Sequence, residues 1–282
     1  PCPPTWFSAD ALWLQRQGPD DYFLATDGAQ ANLRNNQFNF DYELGLRVSY
    51  GEVVGNTPIE ITYFGLHDWN SAIALDGVNL TVPGGPGGGV FDDSDRVEAS
   101  YASELHSFEV NTLQFRDENI TWVYGLRYID VEEDFLLRAE DGGDEGTIVI
   151  TGDNRLLGLQ GGADYNRGCD GWCFSASARA GIYANFTERD ITIRDAVQPL
   201  NNDVGESSDT EVAFVGQLGV GLTRHLGCGL KLRGGYELMW INGLTLAAEQ
   251  LGTGGGGFAL PAVDTNGSTL YDGGYLGLEW HR

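Results

Sequence analysis

From Phe38 to Tyr50 the chain alternates residue by residue. Phe38, Phe40, Tyr42, Leu44, Leu46, Val48 and Tyr50 take one face, and Asn39, Asp41, Glu43, Gly45, Arg47 and Ser49 take the other. A period of two over this length predicts a β-strand with one apolar face. The reverse face carries charges of both signs, and the same pattern returns along the chain. Ile120, Trp122, Tyr124, Leu126 and Tyr128 alternate with Thr121, Gly125 and Arg127; Trp172 to Phe186, Val212 to Leu222 and Leu230 to Trp240 repeat it. Strands of soluble sandwiches usually run about 5 or 6 residues. These are roughly twice that, the length at which a tilted strand crosses a bilayer.

Hydropathy alone points elsewhere. Its mean is −0.23, and no apolar run approaches a membrane-spanning helix. A spanning strand hides its apolar half behind polar alternates, so each segment's signal is weak. The 41 glycines and the 11% of Phe, Tyr and Trp fit long strands, open turns and interfacial aromatic girdles. A soluble β-sandwich is the structural alternative, with aromatic faces meeting each other and charged faces meeting water. No Pro/Ser linker or charge block divides the 282 residues, so residues 1–282 form one domain. The chain opens on Pro1-Cys2-Pro3-Pro4, which suggests an exported protein whose leader has been removed.

Loop lengths give the topology. Strands are expected near 6–16, 38–50, 57–68, 98–115, 119–132, 147–165, 172–187, 210–224, 230–244 and 268–281, an antiparallel up-and-down transmembrane barrel of about ten strands, with 8 or 12 as alternatives. Short connections at 51–56, 116–118, 166–171 and 225–229 alternate with long ones at 17–37, 69–97, 133–146, 188–209 and from 247 to about 268. This asymmetry is that of a bacterial outer-membrane barrel, with tight periplasmic turns, long extracellular loops and both termini in the periplasm.

The net charge of −25 argues against nucleic acid, whose phosphates need clustered Lys and Arg, and favours cations. The acidic groups Asp92, Asp93, Asp95 and Asp141, Asp144, Glu145 offer hard oxygens to Ca²⁺ without matching an EF-hand spacing. No other cofactor is expected. The glycine runs 84–89 and 254–257 do not join a strand to a helix, so they read as flexible loops rather than phosphate cradles.

Four stretches carry a family resemblance: Trp6 to Trp13, Tyr63 to Asn70, Gly235 to Leu244 and Thr269 to Glu279. Through them the chain resembles the planctomycetal outer-membrane β-barrel porins, the group labelled beta-barrel porin 7, which is related to the Legionella-type major outer-membrane proteins. The resemblance implies a porin inserted by the barrel-assembly machinery. The chain departs from the pattern at its end, Trp280-His281-Arg282, where barrels commonly finish on an aromatic residue.

A barrel of about ten strands is narrow, whereas open channels come with roughly 16 to 18. The inward set is expected to hold Asp41, Glu43, Arg47, Glu60, Arg127, Arg179, Lys231, Arg233 and Glu237, whose opposite charges should pair and plug the lumen. The topology gathers Cys2, Cys169, Cys173 and Cys228 at the periplasmic rim. An oxidising compartment favours bridges there, Cys169–Cys173 with Cys2–Cys228 first among three possible pairings, over a Cys-only metal site.

The expected function is a non-enzymatic, porin-like envelope protein in contact with outer-membrane lipid. The second reading is a cation-binding surface protein whose loops pack against neighbouring copies into an oligomer or lattice. The third is a surface protease using His67 and Asp68, since ten-stranded outer-membrane proteases use Asp and His at the extracellular rim. Adjacent strand residues face opposite sides, which makes His67 and Asp68 a poor pair.

Overall fold

The computed structural model describes residues 5–28, 32–169, 171–253 and 263–282. The barrel strands are β1 (Thr5–Arg16), β4 (Glu43–Val54), β5 (Thr57–Leu80), β6 (Ser94–Phe115), β7 (Ile120–Asp141), β8 (Asp144–Cys169), β9 (Trp172–Asp195), β10 (Asp203–Gly227), β11 (Leu230–Leu244) and β12 (Gly267–His281); β2 (Phe23–Thr26) and β3 (Asn32–Arg34) form a small hairpin in the first long connection. Neighbours pair antiparallel throughout, and β1 closes the ring by pairing with both β4 and β12. All ten expected strands are present, in the expected up-and-down order.

Their outer ends differ from expectation. The long connections at 69–97, 133–146 and 188–209 are largely strand. Between β7 and β8 only Gly142 and Gly143 remain as a turn, at φ 56° and 106°, the left-handed backbone that a two-residue hairpin turn of this hand requires. The physical reason is an exchange of faces. On β7 the outward positions Trp122, Tyr124, Leu126 and Tyr128 give way to Asp130, Glu132 and Asp134, while the inward positions change from Thr121, Gly125 and Arg127 to the buried Val131, Phe135, Leu137 and Ala139. Below the exchange the strand is apolar toward lipid; above it the strand is apolar toward the core, as in a soluble protein. Alternation continues, but its polarity reverses.

β5 makes the same transition through a bulge. Phe64 pairs with Ser107 and His67 with Leu105, so the inward parity passes from Glu60, Thr62 and Phe64 to Trp69, which is fully buried. The wall is uneven in height. β5 to β10 run 22 to 26 residues, whereas β1, β4, β11 and β12 run 12 to 15. On β7 the stretch from Glu132 to Asp141 follows the strand for roughly 30 Å beyond the belt at about 3.3 Å per residue.

The connections on the short side fold against the concave face of this tall wall. Leu24, Ala25, Leu33, Phe38 and Phe40 from the first, and Leu246, Ala247, Ala248 and Leu251 from the segment after β11, join Val97, Tyr101, Phe135, Leu137, Ile148, Ile150 and Ile191 in one buried core. The alternation from Phe38 to Tyr50 is therefore not one strand. Phe38 and Phe40 turn into the core before β4 begins at Glu43, and Phe38 packs edge-on to Tyr101 at 5.5 Å between ring centroids.

Candidate functional site

The lower barrel encloses a polar cavity of about 480 Å³ that runs from the periplasmic mouth, at Trp6, Phe115, Cys173 and His281, to Phe64, Arg127 and Glu237 at mid-height. Alternation places its charged residues, since each sits between two lipid-facing neighbours: Arg47 between Leu46 and Val48, Glu109 between Phe108 and Val110.

The charges form two networks on opposite walls. On β1, β4, β11 and β12, Arg233 grips Asp10 with both nitrogens of a fork, at 2.7 and 2.5 Å, and Arg47 donates to Asp10 at 2.8 Å and to Glu237 at 2.5 Å. Glu279 continues the chain, accepting from Lys231 at 2.8 Å and from Arg233 at 3.3 Å, with His281 on the same carboxylate. On β6 to β9, Glu109 holds Arg127 at 3.4 Å and Arg179 at 3.2 Å and accepts from Asn111 and Gln160, while Arg179 reaches Asp164 at 3.5 Å. Arg127 crosses to Gln217 of β10 at 2.9 Å. Buried guanidiniums held in forked contact with carboxylates fix both partners in place.

Above the cavity the interior is closed. Leu12, Leu14, Trp69, Tyr101, Leu105, Ile129, Met239, Ile241 and Tyr271 point inward and are at most 3% exposed. The Trp69 indole N–H donates to the Leu14 carbonyl at 2.9 Å, and its ring lies 5.1 Å from that of Tyr271. Arg16 pairs with Glu133 within this layer, both side chains fully buried, and lies over the rings of Phe40 and Tyr101 at 5.0 and 4.9 Å. Higher still, main chain is clamped by side chains from the wall. Asn154 donates to the Thr245 carbonyl at 2.9 Å and accepts the Thr245 N–H at 2.7 Å, Asn185 donates to the Gly243 carbonyl at 2.8 Å, and Glu133 accepts the Ala247 N–H at 2.9 Å. These bonds satisfy peptide groups that the inward fold removes from water.

Seven of the nine expected lumen residues line the cavity: Arg47, Glu60, Arg127, Arg179, Lys231, Arg233 and Glu237. Asp41 and Glu43 do not. Asp41 lies in the exposed segment before β4, and Glu43 is the first residue of that strand, opposite Leu14 above the cavity. Sequence reasoning missed Asp10, Glu109, Asp164 and Glu279, although Ala9 and Ala11, Phe108 and Val110, and Leu278 and Trp280 flank three of them in the same alternating pattern.

The acidic groups of the outer loops are built into structure. Asp92 accepts the Gly88 N–H, Asp95 accepts the Gly142 N–H at 3.4 Å, Asp141 faces Asp144 across the β7–β8 turn, and Glu145 is 3.7 Å from Arg138; Asp93 is exposed. Among the described residues no three His, Cys, Asp or Glu side chains gather as a metal site. The expected bridges do not form at the cysteines described in full, because Cys173 and Cys228 are free thiols. Register separates the first pair, with Cys173 opposite Gly168 and Cys169 opposite Trp172, so the two are offset by one position. Cys2, the side chain of Cys169, the side chain of His67 and the glycine run 254–257 lie outside the described residues. Asp68 is exposed opposite Glu104.

No family model matches the chain, and no curated protein matches it in sequence. Solved structures do match in shape. The outer membrane protease OmpT from Escherichia coli is 11% identical over 99% of this chain and 96% of its own, with a TM-score of 0.55. The fold is that of an outer-membrane β-barrel. The translocator domain of the autotransporter NalP from Neisseria meningitidis, 11% identical over 98% and 88% of the two chains, has a TM-score of 0.44, and the P. putida toluene transporter TodX, 7% identical over 99% and 90%, has 0.33. At such identities the likeness concerns the fold alone. Together with the outward belt of Trp13, Tyr124, Leu126, Leu159, Ile182, Leu218 and Trp280, whose apolar surface water would not tolerate, it places the chain in the bacterial outer membrane.

Proposed function

We propose that this protein is a non-enzymatic outer-membrane barrel, porin-like in its wall but closed at rest, which anchors a rigid β-walled head outside the cell. One observation carries the reading: a continuous buried layer, from Leu12 and Trp69 to Tyr271 with the Arg16–Glu133 pair inside it, lies between the polar cavity and the outer face. A hydrated solute would have to shed its water and part an ion pair to cross it. The porin lineage suggested by the sequence draws support from the barrel and from the charged lumen, and from no family match. Liposomes carrying the protein should not swell in small sugars beyond empty ones. Swelling that scales with the protein-to-lipid ratio would overturn the closed state.

Proteolysis is the rival reading, because OmpT is a protease and shares the fold. Nothing in the described side chains favours it: His106 stands on the outer wall beside Tyr63, and His225 and His281 stand at the periplasmic mouth. Cleavage of exposed peptides that is lost in both His67→Ala and Asp68→Asn would establish it.

A further inference from the structure

We propose that the upper edge of β10, from Asp203 to Glu211, is a docking site for an extended basic peptide segment, which adds to the wall as one more strand. The stretch pairs on one side only. Asp203 to Ala213 lie against Ile193 to Tyr183 of β9, whereas β11 joins β10 only from Phe214 opposite Asn242. From Asp203 to Glu211 β9 is the one paired neighbour among the described residues; at Val212 and Ala213 the Gly243 main chain of β11 comes alongside. Two local bonds show which peptide groups face outward. The N–H groups of Val204 and Thr210 are held by Asp203 Oδ1 at 2.9 Å and Asp209 Oδ1 at 2.7 Å, so neither joins the β9 ladder. Alternate residues of an antiparallel strand direct these groups to the same side, so Val204, Glu206, Ser208 and Thr210 present theirs to the free edge, which ends where Gly243 of β11 comes against the Val212 carbonyl.

The edge is open on both faces. Val204 and Val212 are 69% and 56% exposed, and Asp209 and Glu211 are exposed even though their β9 neighbours Thr187 and Asn185 are buried. An unpaired edge is a template for strand addition. Charge selects the occupant. Asp203, Glu206, Asp209 and Glu211 lie along it, none of them in an ion pair among the described residues. A second copy of this chain would set like charges opposite one another, which is destabilising, and a neutral strand would leave four carboxylates uncompensated. A strand rich in Lys or Arg meets carboxylates on either face and gains main-chain bonds as well. On docking, the Asp209 carboxylate would release the Thr210 N–H to the incoming carbonyl and turn to the cation.

The test uses the full-length protein in detergent micelles and a labelled ten-residue peptide of alternating Lys and Val. A second peptide of the same sequence is N-methylated at every other residue, which keeps the charge and removes half the donors. Fluorescence anisotropy should show salt-sensitive binding of the first peptide and at least tenfold weaker binding of the second. Amide exchange should slow at Asp203–Glu211, and Ser208→Pro, which removes an edge-facing N–H not used by β9, should weaken binding without altering charge. Equal binding of the two peptides would reduce the interaction to general attraction by an acidic surface and overturn the proposal, as would no binding or unchanged exchange in this stretch.

Discussion

Glu104 of β6 stands directly across from Glu132 of β7, one contact in a row that runs Asp68, Glu104, Glu132, Asp153, Glu188 across five neighbouring strands. The row lies on the outer face close above the position where the wall changes from apolar to polar; Arg155 reaches it, 3.4 Å from Asp153 and from Glu188, and the His106 ring lies 3.9 Å from Glu104. Like charges directly opposite destabilise a sheet by a few tenths of a kcal/mol to about 1 kcal/mol. Glu132→Gln should therefore raise the denaturation midpoint in detergent, with a gain that shrinks in high salt. An unchanged or lower midpoint at low salt would show that the row is already neutralised.

The same row gives a pH dependence. Partial burial, then the charges of Asp130, Asp153 and Glu104, raise the Glu132 pKa; partial burial, followed by the nearby carboxylates Glu188, Asp130 and Asp190 against the opposing pull of Arg155, raises that of Asp153. Glu249, over the inward-folded segment after β11, is pushed up to about 7, chiefly by burial and further by Asp20, Glu133 and Asp264, against the Asp20 N–H that it accepts. A carboxylate raised in the folded state binds more protons folded than unfolded. Its contribution is complete below pH 4.5 and is lost as pH rises through 7. Glu249→Gln should therefore gain on the parent protein in denaturation midpoint as pH rises from 5 to 8. A difference that stays flat over that range would remove Glu249 from the account.

In the lumen, Asp10 is the node that two arginines share. Asp10→Ala leaves Arg47 with Glu237 alone and Arg233 with Glu279 alone in a confined space, at a cost on the order of 3–5 kcal/mol. Lys231→Ala, at the wetter mouth, should cost under about 1 kcal/mol. Urea titration of the two variants followed by heat-modified gel mobility would rank them, and equal losses would contradict the network.

The lower half of this barrel was legible because one rule, apolar outward, places both the belt and the lumen charges; it located Arg47, Arg127, Arg179 and Glu237 without any coordinates. The upper half obeys the opposite rule. Ile148, Ile150 and Val131 continue the alternation with the apolar face turned inward, so the lipid-facing pattern ends near Glu132 and Phe186 while the strands run on to Asp141 and Asp195. The β5 bulge hides in the same way, since nothing in Gly65-Leu66 announces the extra residue that brings Trp69 inside. Phe38 and Phe40 share the period of β4 by continuing its pattern into a loop, which carried Asp41 into the expected lumen. The buried pair Arg16–Glu133 joins residues 117 apart in sequence, and no local pattern could have matched them.

The free thiols make a further check. Cys228, exposed in the β10–β11 turn, should react with a maleimide quickly, and Cys173, half-buried at the mouth of the cavity, more slowly; both should label without reductant. Labelling only after reduction would show that a bridge engages them.

The layer from Leu12 to Tyr271 is the centre of the functional account, and planar-bilayer recording addresses it most directly. The purified protein should insert without discrete conductance steps, and Arg16→Ala with Trp69→Ala, which empties the middle of the layer, should produce them. Steady single-channel steps from the unaltered protein would contradict the closed barrel.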